Sequence, residues 1–482
     1  MNVPIPRLLP LVAALLLAGC ATALPELPAQ PEPPVAFKEA GRWTQAAPAE
    51  AQDRGRWWQA FADPVLDALV AQAAERNTSI QEAAARVAQA RALVRAANAD
   101  RLPQVGAGAG VGRQAGANTA TGAAPATLWQ AGVQFAYEPD LFGRATGRRD
   151  AAALDAQARE ALLQSTRLLV QAETAQVYLA LRAIDVERAI VRETVQAHRS
   201  TLHLTQRRHA AGDLAELDVV RVEAEVAATE ADALALDRQR ATLEHALAVL
   251  VGDAASQFAL APADWKAQLP VIPPGVPATV LARRPDVAAA QSSLLAAQAR
   301  VGVARAAWFP DLSLTGSGGF ASPELGDLLR WSARAWTVSA LLSLPIFDGG
   351  RREAGVQQAQ AELDAALARY RGEVLVAFRE VEDQLASLRL LHEQAQAQGR
   401  AVDAARRATT LSDTRYRNGL VSQLELLDAR RSELRNRRQA LQVRSAQFQA
   451  TVALVRALGG GWDGPLRGDA SPPATELART RP

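Results

Sequence analysis

The sequence predicts a mainly α chain with a membrane β part, built from one structural unit that occurs twice. Three observations carry this prediction. The chain matches itself at a constant shift of 207 residues, four short segments alternate with period two, and the remainder lies in long Ala-, Leu- and Val-rich blocks poor in Gly and Pro. Of 482 residues, 49% are hydrophobic but only 5% are aromatic, and the single Met is the first residue. That composition suits extended helices packing at close range, since a mixed globular core of this size uses more large side chains. With 53 Lys plus Arg against 51 Asp plus Glu, the net charge of +2 gives no strong case for nucleic acid or a polybasic membrane contact. One cysteine, Cys20, excludes disulfides within the chain and cysteine-based zinc sites.

The first element is an address. Arg7 precedes an apolar run over 8–18 and then Leu17-Ala18-Gly19-Cys20, a pattern for removal and too short to span a bilayer. It resembles a bacterial lipobox, which implies a diacylglyceryl-modified cysteine at Cys20; an ordinary signal peptide with a chance cysteine is the plainer alternative. Ala21 stands where an Asp favours inner-membrane retention, so sorting to an outer membrane is expected. The proline-rich stretch 24–34 should follow as an extended spacer. Past residue 20 there is no run of 18 apolar residues, so any crossing of a membrane must use strands.

The shift of 207 pairs Pro103 with Pro310, Arg144 with Arg351, Arg182 with Arg389, Arg208 with Arg415, Gly212 with Gly419, Leu217 with Leu424 and Gly252 with Gly459. A register without gaps across turns argues for duplication, at a period far too long for a solenoid. Each copy holds two strands, expected at 104–113 and 129–137, then 312–320 and 336–344. In the second, Trp129, Ala131, Val133, Phe135 and Tyr137 oppose Gln130, Gly132, Gln134, Ala136 and Glu138. Val105, Ala107, Ala109 and Val111 oppose four glycines in the first; Leu312, Leu314 and Phe320 in the third and Trp336, Val338, Ala340, Leu342 and Leu344 in the fourth oppose largely Ser and Thr. Segments of about 9–11 residues with one apolar face and aromatic ends meet the requirement for transmembrane strands; a sheet over a soluble core is the alternative. Four strands cannot close a barrel alone, so closure needs further copies, eight strands from two or twelve from three.

Long helices follow each strand pair over 143–211 and 350–418, ended by Gly212 and Gly419. At 1.5 Å per residue each would extend roughly 100 Å. In the second, Leu363, Leu367, Tyr370, Val374, Phe378, Val381, Leu385 and Leu388 recur in steps of three and four, a coiled-coil-like seam. Shorter helices are expected at 216–251 and 423–458, and others at 65–99 and 280–307 lead into the strands.

These residues resemble the outer-membrane factors of the TolC-like family, and within it the lipidated NodT-like branch. The resemblance rests on Tyr137-Glu138-Pro139-Asp140-Leu141-Phe142-Gly143-Arg144, on Leu281-Ala282-Arg283-Arg284-Pro285-Asp286-Val287, on Trp308-Phe309-Pro310, on Arg415-Tyr416-Arg417-Asn418-Gly419 and on Leu426-Leu427-Asp428-Ala429-Arg430. With the lipobox they cover nearly the whole chain. The resemblance implies a homotrimer, with a twelve-stranded barrel in the outer membrane and a twelve-helix tunnel through the periplasm. It implies a passive exit duct for small molecules such as drugs or other toxic compounds, working with a periplasmic adaptor and an inner-membrane resistance-nodulation-division type pump.

The organisation expected is a lipoprotein signal peptide at 1–19, a lipid anchor and proline-rich segment at 20–60, a first repeat at 61–251, a proline-rich linker at 252–279, a second repeat at 280–458 and a flexible tail at 459–482. Trp129, Tyr137, Trp308, Phe320 and Trp336 are the candidate membrane-interface aromatics. The resemblance places gating and adaptor docking at the two glycine turns, so Arg208, Gly212, Asp213, Leu217, Arg415, Tyr416, Arg417, Gly419 and Leu424 are the candidate residues there. Leu420 and Val421 stand where many relatives have an acidic residue, with Asp413, Glu425 and Asp428 as substitutes. No catalytic constellation, cofactor motif or metal-ligand spacing is visible, and the five histidines should be solvated on helix surfaces. An enzyme is therefore not expected. The rival reading is a periplasmic adaptor or structural coiled-coil lipoprotein outside the bilayer, although an adaptor carries one hairpin rather than two copies each with lipid-like strands.

Overall fold

A computed structural model describes residues 25–27, 34–39, 55–115, 125–270, 272, 280 and 283–460. The expected signal peptide, Cys20, most of 271–279 and the tail beyond 460 lie outside them. In chain order the elements are α1 (Pro64–Arg76), α2 (Thr78–Ala99), β1 (Gln104–Gln114), β2 (Ala126–Tyr137), α3 (Arg144–Ala210), α4 (Glu216–Leu250), α5 (Pro285–Ala306), β3 (Asp311–Ser322), β4 (Arg334–Ser343), α6 (Arg351–Arg417) and α7 (Gln423–Ala457). Shifted by 207, α2 falls on α5, α3 on α6 and α4 on α7 residue for residue, and β1 and β3 begin at equivalent positions. The duplication is therefore structural as well as sequential. It extends to single hydrogen bonds: Asn77 Nδ2 donates to the Leu250 carbonyl at 2.9 Å, and Arg284 Nη1, 207 residues on, donates to the Ala457 carbonyl at 3.0 Å. Both bonds satisfy an orphan carbonyl at a helix C-terminus.

Two expected helices are corrected: the one read over 280–307 is interrupted at Arg284, so that α5 starts at Pro285. The helix read over 65–99 is two helices, because Asn77 leaves helical geometry (φ −62°, ψ 129°). Its Oδ1 accepts from the amides of Ser79 and Ile80 at 2.9 and 3.4 Å, capping α2, while its Nδ2 is held by Leu250. A short amide side chain that caps locally competes with the helix, and a tertiary partner decides the contest. Strand β2 also begins three residues before the expected 129.

The chain divides into two compact units. The first, built on Ala85–Glu160 and Ala289–Gly372, carries an antiparallel sheet of order β1-β2-β3-β4. Below the strands, Leu294, Ala297 and Val301 of α5 pack on Ala359, Leu363 and Leu367 of α6, with Leu27 against them. Gln298 Nε2 donates to the Pro25 carbonyl at 2.7 Å. This part of the proline-rich stretch is thus docked on a helix instead of being a free spacer.

The second unit is helical. Its core gathers aromatic residues whose role the sequence did not disclose: Phe61 and Trp265 lie 5.9 and 4.7 Å from Phe448, and the Arg444 guanidinium sits 4.7 Å over the Trp265 ring. Trp57, Trp58 and Tyr178 complete it. The α6 seam is buried as its spacing requires, with Val381, Leu385 and Leu388 packed around Phe37. The backbone amides of Lys38 and Glu39 donate to the Glu382 carboxylate at 2.7 and 2.9 Å.

Candidate functional site

Register determines what the sheet can face. Directly opposed residues share a side, and the ladders pair Val111 with Trp129, Ala131 with Phe320 and Gly318 with Trp336. The four apolar faces read separately from the strands therefore fall on one side of the sheet. That side is uncovered among the described residues: Trp336 is 73% and Val338 81% exposed. The opposite side carries Gly106, Gly108, Gly110 and Gly112 with Gln130, Gln134, Ser313, Thr315, Thr337 and Ser339, and the Ser317 and Thr337 hydroxyls are hydrogen-bonded at 2.8 Å. Gly132 and Gly319 face each other so closely that a Cβ on Gly319 would stand 2.2 Å from the Ala131 carbonyl oxygen. Among the described residues, the outer edges of β1 and β4 have no partner strand. No described helix is long and apolar enough to cross a membrane.

The candidate interface aromatics form two groups. Trp129, Phe320 and Trp336 lie toward the loop end of the strands, and Tyr137 and Trp308 at the end that joins the helices. There Phe142 stacks on Phe309 at 4.9 Å, and the Arg352 guanidinium lies 4.6 Å over the Trp308 ring. Asp140 caps α3 by accepting from the Ala145 and Thr146 amides at 3.0 and 2.7 Å.

At the far ends of the long helices, two turns repeat the same closure. Gly212 (φ +82°) and Gly419 (φ +71°) occupy the left-handed region. The amides of Asp213 and Leu420 reach back to the Arg208 and Arg415 carbonyls at 2.9 and 2.8 Å, the bond that ends a Schellman cap. Gln423 Nε2 donates to Thr205 Oγ1 at 2.9 Å, and Val222, Val226 and Leu427 cluster, so the two hairpins pack together here. Arg415 lies 3.9 Å from Glu425, while Asp413 takes Arg417 at 2.8 Å and Arg430 at 3.0 Å. Leu217 and Leu424 are exposed, at equivalent positions. Tyr416 Oη is buried with no hydrogen-bond partner among the described residues.

The histidine expectation fails at His198, which is 2% exposed. Its Nδ1 lies 3.2 Å from Thr229 Oγ1, and that hydroxyl donates to the Glu225 carbonyl at 2.7 Å. Nδ1 must then carry the proton, leaving Nε2 a bare buried acceptor. Burial holds its pKa below the usual histidine value, and Arg430 and Arg431 push the same way.

A buried ionic cluster was also beyond sequence reading. Arg182 and Arg240 both bind Asp185, at 3.1 and 2.7 Å, and both donate to the extended chain that follows α4: Arg182 to the Ala261 carbonyl at 2.9 Å, Arg240 to that of Leu260. Burial pushes the Tyr178 phenol up to about 12; Arg182 lowers it and Asp63 raises it. The phenol keeps its proton and donates to Asp63 at 2.8 Å. The signal available was the pairing of Arg182 with Arg389 across the repeat, for Arg389 holds Glu39 of the short stretch 34–39 at 2.9 Å.

Comparison with known proteins adds to this geometry. The family described as outer membrane efflux protein matches residues 69–253 and 276–460, two stretches that are themselves 207 residues apart. The chain is 35% identical over 459 residues to outer membrane protein OprJ of Pseudomonas aeruginosa, covering 94% of this chain and 95% of that one. It is 33% identical over 464 residues to the toluene efflux pump outer membrane protein TtgC of Pseudomonas putida, covering 94% of each. The solved outer-membrane channel OprN superposes with a TM-score of 0.85 at 31% identity, covering 92% of this chain and 99% of that one.

Proposed function

The chain belongs to the outer membrane efflux protein family, and on that premise we propose that three copies close their sheets into a twelve-stranded barrel continued by a twelve-helix tunnel. The family places it in the outer membrane, as the outer-membrane component of an efflux system, with a large periplasmic part. The duct is passive and performs no reaction; a periplasmic adaptor and an inner-membrane resistance-nodulation-division type pump deliver small toxic molecules to it and supply the energy. Acylation at Cys20 adds an anchor to the same membrane.

The observation that carries this reading is the sheet. Its one apolar side fits hydrocarbon and its polar side fits a water-filled lumen. Unpaired backbone groups in lipid cost several kcal/mol each, so the free edges of β1 and β4 must meet those of other copies. The rival reading, an adaptor outside the bilayer, leaves that face without an occupant. At the other end, Arg208, Gly212, Asp213, Leu217, Arg415, Tyr416, Arg417, Gly419 and Leu424 form the resting gate and its docking surface. A turn held by exposed ion pairs can be shifted by a partner that binds one state better. Planar-bilayer conductance of the detergent-purified protein, with its oligomeric mass, tests the proposal. Stepwise channels from a trimer are expected; a soluble monomer without conductance overturns it.

A further inference from the structure

The lipid-facing side of the sheet carries two charges among the described residues of its ladders, and both are arginines. On that side β1 presents Val105, Ala107, Ala109, Val111 and then Arg113, the residue before its last, opposite Thr127. Strand β4 opens with Arg334, opposite Phe320, and continues Trp336, Val338. Both arginines stand at the loop end, one on each edge strand. The helix end of the same side closes on Tyr137, Leu312 and Leu342, without charge. An arginine facing lipid is costly at the midplane and tolerated only near the interface, where its stem lies along the apolar surface and its head reaches the headgroups.

Neither guanidinium has a carboxylate partner among the described residues. Arg113 is exposed and makes no side-chain hydrogen bond among the described residues. Arg334 is held: its guanidinium lies 5.0 Å over the Trp331 ring, and Nη1 donates to the Trp331 carbonyl at 3.2 Å. This leaves most of its donor fork open and already oriented, at the rim of the apolar face. Trp331 and Leu329 are themselves 75% and 76% exposed, so the apolar surface continues from the strands into the loop.

Resting on the barrel reading above, we propose that Arg113 and Arg334 bind the phosphorylated headgroup of an outer-leaflet glycolipid, in a site completed where β1 of one copy meets β4 of the next. The acyl chains lie along the strand face and the phosphate meets the two guanidinium forks. Planar guanidinium binds phosphate oxygens bidentately, and a phosphomonoester carries up to two negative charges for two arginines. A zwitterionic headgroup brings its own cation and gains less.

The test uses the full-length protein, purified as its assembled oligomer and stripped of lipid, with lipid A as the probe and native mass spectrometry as the readout. Up to three lipid A molecules per trimer are expected, with phosphatidylcholine and inorganic phosphate unable to displace them. Arg113→Gln and Arg334→Gln should each weaken binding about tenfold, the loss of one charge-assisted contact. Trp331→Ala, which keeps both charges but frees Arg334, should weaken it less. Wild-type binding by the double Gln variant, lipid A no tighter than phosphatidylcholine, or displacement by inorganic phosphate overturns the proposal. Conductance separates the two levels: a wild type without channels removes the barrel reading, whereas conducting trimers whose double variant still holds lipid A remove only this site.

Discussion

At the scale of single residues, the closest constraint is the facing pair Gly132 and Gly319. A Cβ on Gly319 meets backbone, which cannot rotate away, so Gly319→Val should cost about 3 kcal/mol or more at the β2–β3 seam. Heat-stable oligomer on a denaturing gel measures it, and the variant should dissociate at lower temperature. His198 gives a pH dependence. Its folded pKa lies below the unfolded value of about 6.5, so between the two the unfolded state holds more protons. The stabilising effect of the neutral ring is complete above about pH 6.5 and is lost as pH falls toward the lowered folded value. After correction for the slower intrinsic exchange at lower pH, the protection factors of amides in 198–230 should therefore fall from pH 7.5 to pH 5.5, and His198→Gln should flatten that change. This histidine was unreadable in the sequence because its burial depends on Thr229 of α4 and the arginines of α7, none of them near it in sequence.

Among the elements, periodicity was most legible where one neighbour decides burial. The α6 seam and the four alternating strands fall where their spacing puts them. The helix over 65–99 was misread for the converse reason. Asn77 is compatible with a helix by composition, and the break follows from a carbonyl 173 residues away. The glycine turns were legible, since only a residue without Cβ adopts φ near +71° without strain. Gly419→Pro is incompatible with that φ and removes the amide that bonds the Tyr416 carbonyl at 3.0 Å. We expect export, measured as drug tolerance of complemented cells, to fall to the level of a deletion while trimer assembly persists. Unimpaired export would count against the tips as the gate.

For the whole molecule, the acylation proposed at Cys20 would be an attachment to the membrane separate from the barrel. Cys20→Ser should abolish incorporation of labelled palmitate and leave the protein in the outer-membrane fraction, because the strand face is sufficient for insertion. Labelling that persists would exclude Cys20 as the acylated residue. The candidate site divides along the same line. Its turns, aromatics and lipid-facing positions could be named from one sequence, whereas the buried cluster of Arg182, Asp185 and Arg240 could not, since a charged residue on a helix is ordinarily solvated.

The sequence by itself determined the duplication, because the two copies can be matched directly, and the period of the α6 seam and the apolar side of each strand, because these depend on neighbours a few residues apart. Only the tertiary structure decided that the four apolar sides coincide, that Asn77 breaks a helix, that His198 is buried and that two arginines crown the lipid-facing rim. Each of these turns on which backbone lies opposite which, and a shift of one residue in a single strand pairing would have turned an apolar face to the other side.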